Sequence, residues 1–201
     1  MAITAAAVEC ELREVLLADK PEAMLALSSK GTVPVLQVQE GRVIDESLDV
    51  MYWALQQHDP ENWLQLDLQQ FDSLVGLNDG DFKHNLDRYK YHVRFPEQSQ
   101  HEYRLQAENF LVNIESKLEA HKGQGLLTDR HTLADIAVFP FIRQFSKVEI
   151  DWFNTSPYQL TRQWLQDFEN SERFKRVMKK YPLWKPGAET LYFPSASAGA
   201  S

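Results

Sequence analysis

The chain has 201 residues, of which 21 are Lys or Arg and 29 are Asp or Glu, for a formal net charge of -8. Hydrophobic residues at 43% and charged residues at 25% are the proportions of an ordinary globular chain and exclude wholesale disorder. The acidic balance argues against a general nucleic-acid binder, which needs cations to displace counterions, and no stretch approaches the ~20 apolar residues of a membrane span.

The opening MAITAAAVECELREV has no basic flank and meets acidic residues early, so it does not read as a secretory leader. A lone cysteine, Cys10, rules out an internal disulfide and any multi-cysteine metal site. The expected address is a reducing cytoplasm. Six histidines, at 58, 84, 92, 101, 121 and 131, form no tight i, i+4 pair, so no metal site is expected.

Taken in chain order, residues 8–17 alternate apolar and polar and read as a strand. Asp19-Lys20-Pro21-Glu22 reads as a helix start, with Asp19 as N-cap and Pro21 in the first turn. Lys30-Gly31 closes that helix. A second strand covers 32–38 and holds Pro34, which cannot donate to a ladder. An edge position or a cis peptide bond accounts for such a proline. In the second case Val33 offers its N–H and C=O to an extended, peptide-like ligand, as a neighbouring strand would. A short third strand covers 42–45, and Ser47 then caps a helix through Leu55.

The junction Asp45-Glu46-Ser47 has a plain reading as a helix cap. It also has a functional one. A helix N-terminus offers free N–H groups and a positive dipole end to a carboxylate, the Ser47 hydroxyl adds a donor, and Glu46 can accept from an ammonium. Together these groups suit the amino-acid end of a ligand.

From about residue 60 to 190 the pattern is helical, with helices expected over 61–78, 80–91, 101–121, 132–145, 159–168 and 172–180. Ala107, Phe110, Leu111, Ile114 and Leu118 form one apolar stripe. Thr132-Leu-Ala-Asp135 has the spacing of a capping box, and its role is structural: it starts a helix apolar on nearly all sides, which Pro140 bends. The small-residue stretch 195–201 is expected to be a flexible tail. The divisions are 1–58, 59–194 and 195–201, and the class is α/β followed by all-α.

Lys20-Pro21, GTVPVL (31–36), VIDES (43–47) and TLADIAVFPF (132–141) stand in the order and spacing of the cytosolic glutathione transferases, and over most of its length the chain resembles that family. The resemblance implies a thioredoxin-like domain, an all-helical C-terminal domain and a homodimer. It implies glutathione as substrate rather than a metal cofactor, with a second, electrophilic or disulfide substrate of unknown identity. Position by position, Val33 ahead of cis Pro34 would pair with the cysteinyl backbone of glutathione. Glu46 and Ser47 would hold the γ-glutamyl end, and Lys20 would meet the glycine carboxylate. The Lys20 context tilts the resemblance toward the Cys-type, omega-like or glutaredoxin-like bacterial branch, whose chemistry includes thiol–disulfide exchange as well as conjugation.

The front departs from the family pattern. The strand at 8–17 looks like the family's second, and residues 1–7 like the end of its first helix. By this reading the thioredoxin-like domain is N-terminally truncated by roughly 20 residues, given usual element lengths, and the segment with the catalytic Cys, Ser or Tyr is absent. The missing strand would sit between 8–17 and 32–38, leaving both with unpaired ladder groups. No catalytic residue is assigned. Cys10, mid-strand, has nothing obvious to lower its thiol pKa and reads as inert. Lys90, Tyr91, Tyr103 and Arg143 are weaker candidates for a second-substrate pocket. A non-catalytic glutathione- or partner-binding module is the alternative to an enzyme.

Overall fold

The computed structural model describes residues 1–194. In chain order the elements are α1 (Ala2–Ala5), β1 (Cys10–Leu12), α2 (Glu22–Leu27), β2 (Leu36–Gln37), β3 (Val43–Ile44), α3 (Ser47–Gln57), α4 (Leu68–Leu77), α5 (Lys83–Lys90), α6 (Gln100–Ala120), α7 (Leu133–Ser146), α8 (Ile150–Thr155), α9 (Gln159–Asn170), α10 (Glu172–Val177) and β4 (Leu191–Phe193). The expected tail, 195–201, lies outside the described residues. The chain forms two compact units, Met1–Glu61 with Arg173–Ser201, and Asn62–Glu172.

In the first unit, α1 packs against α3. The strands form two separate antiparallel pairs, β1 with β4 and β2 with β3. Cys10 faces Phe193 and Leu12 faces Leu191, while Leu36 faces Ile44. The strand expected over 8–17 is therefore regular only at 10–12, with single bridges from Glu14 to Leu183 and from Leu16 to Asp19. It does not stand without a neighbour. The segment after α10 returns to it, and the Trp184 N–H donates to the Glu14 carbonyl at 2.8 Å. That return also alters the expected division: residues 173–194, read from sequence as the end of an all-helical domain, belong to the first unit and include a strand. The local sequence hides this because a three-residue strand shows no periodicity and its partner lies at the other end of the chain.

Strand β2 begins only at Leu36, two residues after the proline that withholds a donor. Gly41, at φ 78°, turns the chain into β3 in the left-handed region that glycine enters without a Cβ clash. Helix α2 starts two residues later than expected: Pro21 occupies the N-cap position, and the Asp19 N–H instead closes a turn onto the Leu16 carbonyl at 2.9 Å.

The second unit is helical throughout its regular elements. The stripe read on α6 is buried as expected, and Tyr103 joins it. A capping box of Ser99 and Glu102 starts that helix. The helix expected over 61–78 starts at Leu68, where the Asp67 side chain accepts from the Gln70 N–H at 2.9 Å. It then runs through a wide turn, Asn78–Phe82, into α5. Ten residues of α7 are buried, and Pro140 sits on its exposed side.

Asp135 organises the entry to α7. Its carboxylate is fully buried and accepts from the Thr132 N–H (2.8 Å) and hydroxyl (3.2 Å), the Leu126 N–H (3.0 Å) and the Trp164 indole Nε1–H (3.0 Å). Burial pushes its carboxyl above the usual range, and these donors pull the other way. Removing the carboxylate strands several buried donors at once. Asp135→Ala is expected to cost about 3 kcal/mol or more, whereas Thr132→Ala costs about 1 kcal/mol, as lost caps do. Urea unfolding of the two variants checks the ordering.

Candidate functional site

The residues nominated from sequence for glutathione binding lie in the first unit: Lys20 just before α2, Val33 and Pro34 between α2 and β2, and Glu46 and Ser47 at the β3–α3 junction. The Val33–Pro34 peptide bond is cis. Val33 is 48% exposed, and its backbone makes no hydrogen bond among the described residues. The first ladder bonds belong to β2, beyond it.

Gly31 lies between α2 and this bend, at φ 60°. A Cβ placed there would come 3.3 Å from Leu25 and 3.6 Å from Lys20 Nζ, so the Lys20 side chain lies over the Gly31 backbone. Its ammonium has no partner among the described residues. The Lys20 ammonium thus lies over Gly31, two residues before Val33 in the chain.

The β3–α3 junction carries the second half of the arrangement. Glu46, with extended backbone (φ -109°, ψ 134°), is the N-cap of α3, and Ser47 is its first helical residue. The cap falls one residue before the serine favoured from sequence. Ser47 is exposed, and its hydroxyl has no partner among the described residues. The first intrahelical bond of this turn runs from the Val50 N–H to the Glu46 carbonyl, 3.0 Å. The preceding amides of the first turn remain open to a ligand.

Lys30 was not nominated from sequence, yet it joins the two loops. Its ammonium donates to Asp45 at 2.9 Å and to Glu46 at 2.6 Å, and the Ser28 hydroxyl donates to the other Asp45 oxygen at 2.7 Å. The end of α2 is thereby tied to the start of α3. The Ser28 hydroxyl first, and Lys30 second, hold the Asp45 carboxyl below the usual carboxylate range, and hydrogen bonds to Glu46 first and Asp45 second raise the Lys30 ammonium well above its ordinary value. Glu46 therefore already accepts from one ammonium through Oε1. Nothing local in the sequence marks Lys30 for this, since a lysine after a helix end reads as a surface charge.

Cys10 is half-buried in β1, and burial, with help from Glu9, pushes its thiol up. It is a poor thiolate source at neutral pH.

The weaker candidates fall in the second unit. Lys90 and Arg143 line a cavity of about 380 Å³ together with Gln100, Gln144, Lys147 and Val148. Arg143 is bound to Glu169 at 2.8 Å. Tyr103 is buried and donates to the Phe95 carbonyl, which makes it part of the core rather than a pocket wall. Among the described residues no group of His, Cys, Asp and Glu could hold a metal ion, and no helix is long and apolar enough to cross a membrane.

Comparison with known proteins fits this geometry. The family model described as "Glutathione S-transferase, N-terminal domain" matches residues 1–62, and that described as "Glutathione S-transferase, C-terminal domain" matches residues 67–181. No curated protein matches in sequence. Among solved structures, glutathione transferase Omega 3C from Trametes versicolor superposes with a TM-score of 0.72 at 16% identity, over 90% of this chain and 83% of the other. BphK, a bacterial GST in a ternary complex, gives 0.70 at 19% identity, over 87% and 88%. A maleyl pyruvate isomerase, a bacterial transferase of the Zeta class, gives 0.63 at 20% identity, over 88% of each chain. These likenesses concern the fold. With its two family-model matches, the chain belongs to the glutathione S-transferase family, with a thioredoxin-like first domain carrying small sheets and a helical second one.

Two measurements check the electrostatics. Ser28→Ala is expected to move the Asp45 carboxyl titration upward, toward the ordinary aspartate value, because it removes the largest source of the lowering; carbon-detected NMR across the acid range reads it. Alkylation of Cys10 by iodoacetamide at pH 7 is expected to be slower than that of a free thiol and to accelerate as pH rises past the ordinary cysteine value.

Proposed function

We propose that this protein binds glutathione in the loop cluster of its first unit and serves as a glutathione transferase, joining the tripeptide thiol to a second, electrophilic substrate or exchanging it with a disulfide. One observation carries the reading. Three kinds of polar group that a γ-glutamyl tripeptide requires are left without protein partners among the described residues of the first unit: the Lys20 ammonium just before α2, the Val33 amide and carbonyl, and the Ser47 hydroxyl at the head of α3. Family membership supplies the ligand that fits them.

In this reading the Val33 N–H and C=O, beside Pro34, exchange hydrogen bonds with the cysteinyl backbone, and only main chain can read main chain in that way. The Ser47 hydroxyl and the open amides of α3 take the γ-glutamyl carboxylate, where the helix dipole favours negative charge. The second oxygen of Glu46 takes the ammonium, while Lys30 keeps the first oriented. Lys20 takes the glycine carboxylate as a point charge. The chemistry needs the ligand thiol as its thiolate, since the thiolate is the nucleophile. It attacks an electrophilic carbon and displaces its leaving group, or attacks a disulfide sulfur and displaces the other thiolate. Cys10, with its raised thiol, takes no part. The protein works as a cytoplasmic homodimer.

Titration calorimetry with reduced glutathione tests the binding. Ser47→Ala is expected to weaken it by about 1.5–3 kcal/mol at most, the value of a hydrogen bond to a charged group, without lowering the unfolding midpoint. Unchanged affinity in that variant would refute the placement of the γ-glutamyl end. Absence of heat from the parent protein at millimolar glutathione would refute the function.

A further inference from the structure

Charge is unevenly spread over this acidic chain. In the second unit Lys90, Arg94, Arg143 and Lys147 gather where the end of α5 meets the end of α7. Contacts join them. Lys90 and Arg94 each lie 4.9 Å from the centre of the Tyr91 ring, and Lys90 Nζ donates to Gln144 Oε1 at 3.3 Å. Lys90, Arg143 and Lys147 line one cavity of about 380 Å³, open to solvent and completed by Gln100, Gln144 and Val148. No carboxylate is part of the lining.

The helix ends account for some of this charge. A helix C-terminus is equivalent to about half a negative charge, so basic residues in the last turns of α5 and α7 have a structural use. Glu169, bound to Arg143 at 2.8 Å and to Lys147 at 3.1 Å, adds one full negative charge. Together these offset about half of the four cations. Asp87 and Arg88, neighbours in the last turn of α5, cancel each other, and Glu149 is taken by Arg104 at 2.8 Å. An excess of about two positive charges is left at one place on a chain whose formal net charge is -8.

The lining decides what suits the cavity. Sites for small molecules, commonly ~300–1,000 Å³, are mostly apolar. This one has the volume of such a site but a single apolar wall residue, Val148. It offers donors instead. Lys90 has no carboxylate partner among the described residues, and the Gln144 amide nitrogen has no acceptor among them. A carboxylate would bring one charge and two acceptor oxygens. A phosphate monoester brings about -1.5 to -2 charges at pH 7 and three acceptor oxygens, which matches the excess charge and the donors together. A bare phosphate ion fills only part of the volume and leaves room for a polar organic portion. Openness to water is no obstacle for such a ligand, because charge attraction acts over a Debye length, about 8 Å at physiological salt.

We infer that this cavity binds a small phosphomonoester by its phosphate group, with Lys90 and Lys147 as the principal cations. It shares no residue with the contacts proposed for glutathione, and it is tested without that ligand, so its outcome does not depend on the proposed function.

The probe is glycerol 3-phosphate, titrated into the full chain at low salt and followed by nitrogen–proton correlation NMR. Saturable shifts are expected at the side-chain amides of Gln100 and Gln144 and at the Val148 N–H, and they are expected to fade as sodium chloride is added. Lys90 is exposed, so Lys90→Gln is expected to weaken binding at least about fivefold at an unchanged unfolding temperature. Lys147→Gln is expected to weaken it in the same direction, and Lys90→Glu to abolish it. No shift at these groups up to tens of millimolar probe would overturn the site. Affinity unaltered in both glutamine variants would place the phosphate elsewhere and overturn it equally. Acetate binding as tightly as the ester would overturn the phosphate assignment, and inorganic phosphate doing so would overturn the organic portion.

Discussion

A carboxylate with no access to water is expensive unless donors surround it, and Asp135 is such a group. Its bonds reach the loop at Leu126, the helix start at Thr132 and the indole of Trp164 on α9. One side chain therefore sets the loop before α7, the first turn of α7 and the position of a helix far along the chain. The apolar contacts around it, such as Phe139 against Phe168 at 4.8 Å between ring centres, supply cohesion without direction. Asp135 supplies the direction.

The first unit solves a similar problem at the surface. There Asp45 takes Ser28 and Lys30, and Glu46 shares the same ammonium. Exposed pairs of this kind contribute little to stability. Their value lies in position, because they fix two loops whose free groups would otherwise wander. The division of labour is plain: the second unit spends a buried charge on architecture, and the first uses exposed charges to hold two loops in register.

Much of this was legible in the residue string where the determinant is local. The α6 stripe, the Thr132–Asp135 spacing and the proline after Val33 each act through neighbours within a few positions, and each appears in the structure. The family could be read because those local signals also stand in a characteristic order. What escaped is non-local. The cap of α3 moved to Glu46 because the serine's backbone is already helical. The part played by Lys30 depends on a junction fifteen residues further on. The Glu115 carboxylate receives the Leu160 and Thr161 amides at the head of α9, a cap lent by another helix and invisible in either segment alone. Strand β4 is the extreme case, since no short apolar triplet announces a partner at residues 10–12.

That last pairing has a consequence for biosynthesis. On the ribosome Cys10–Leu12 emerges well before Leu191–Phe193, its strand partner among the described residues. The intervening helices can nucleate through contacts near in sequence while the early strand still waits. During that interval an unpaired β-edge is open to chaperones or to nascent neighbours, so the order of emergence, and not only the final free energy, bears on the yield of correctly folded protein.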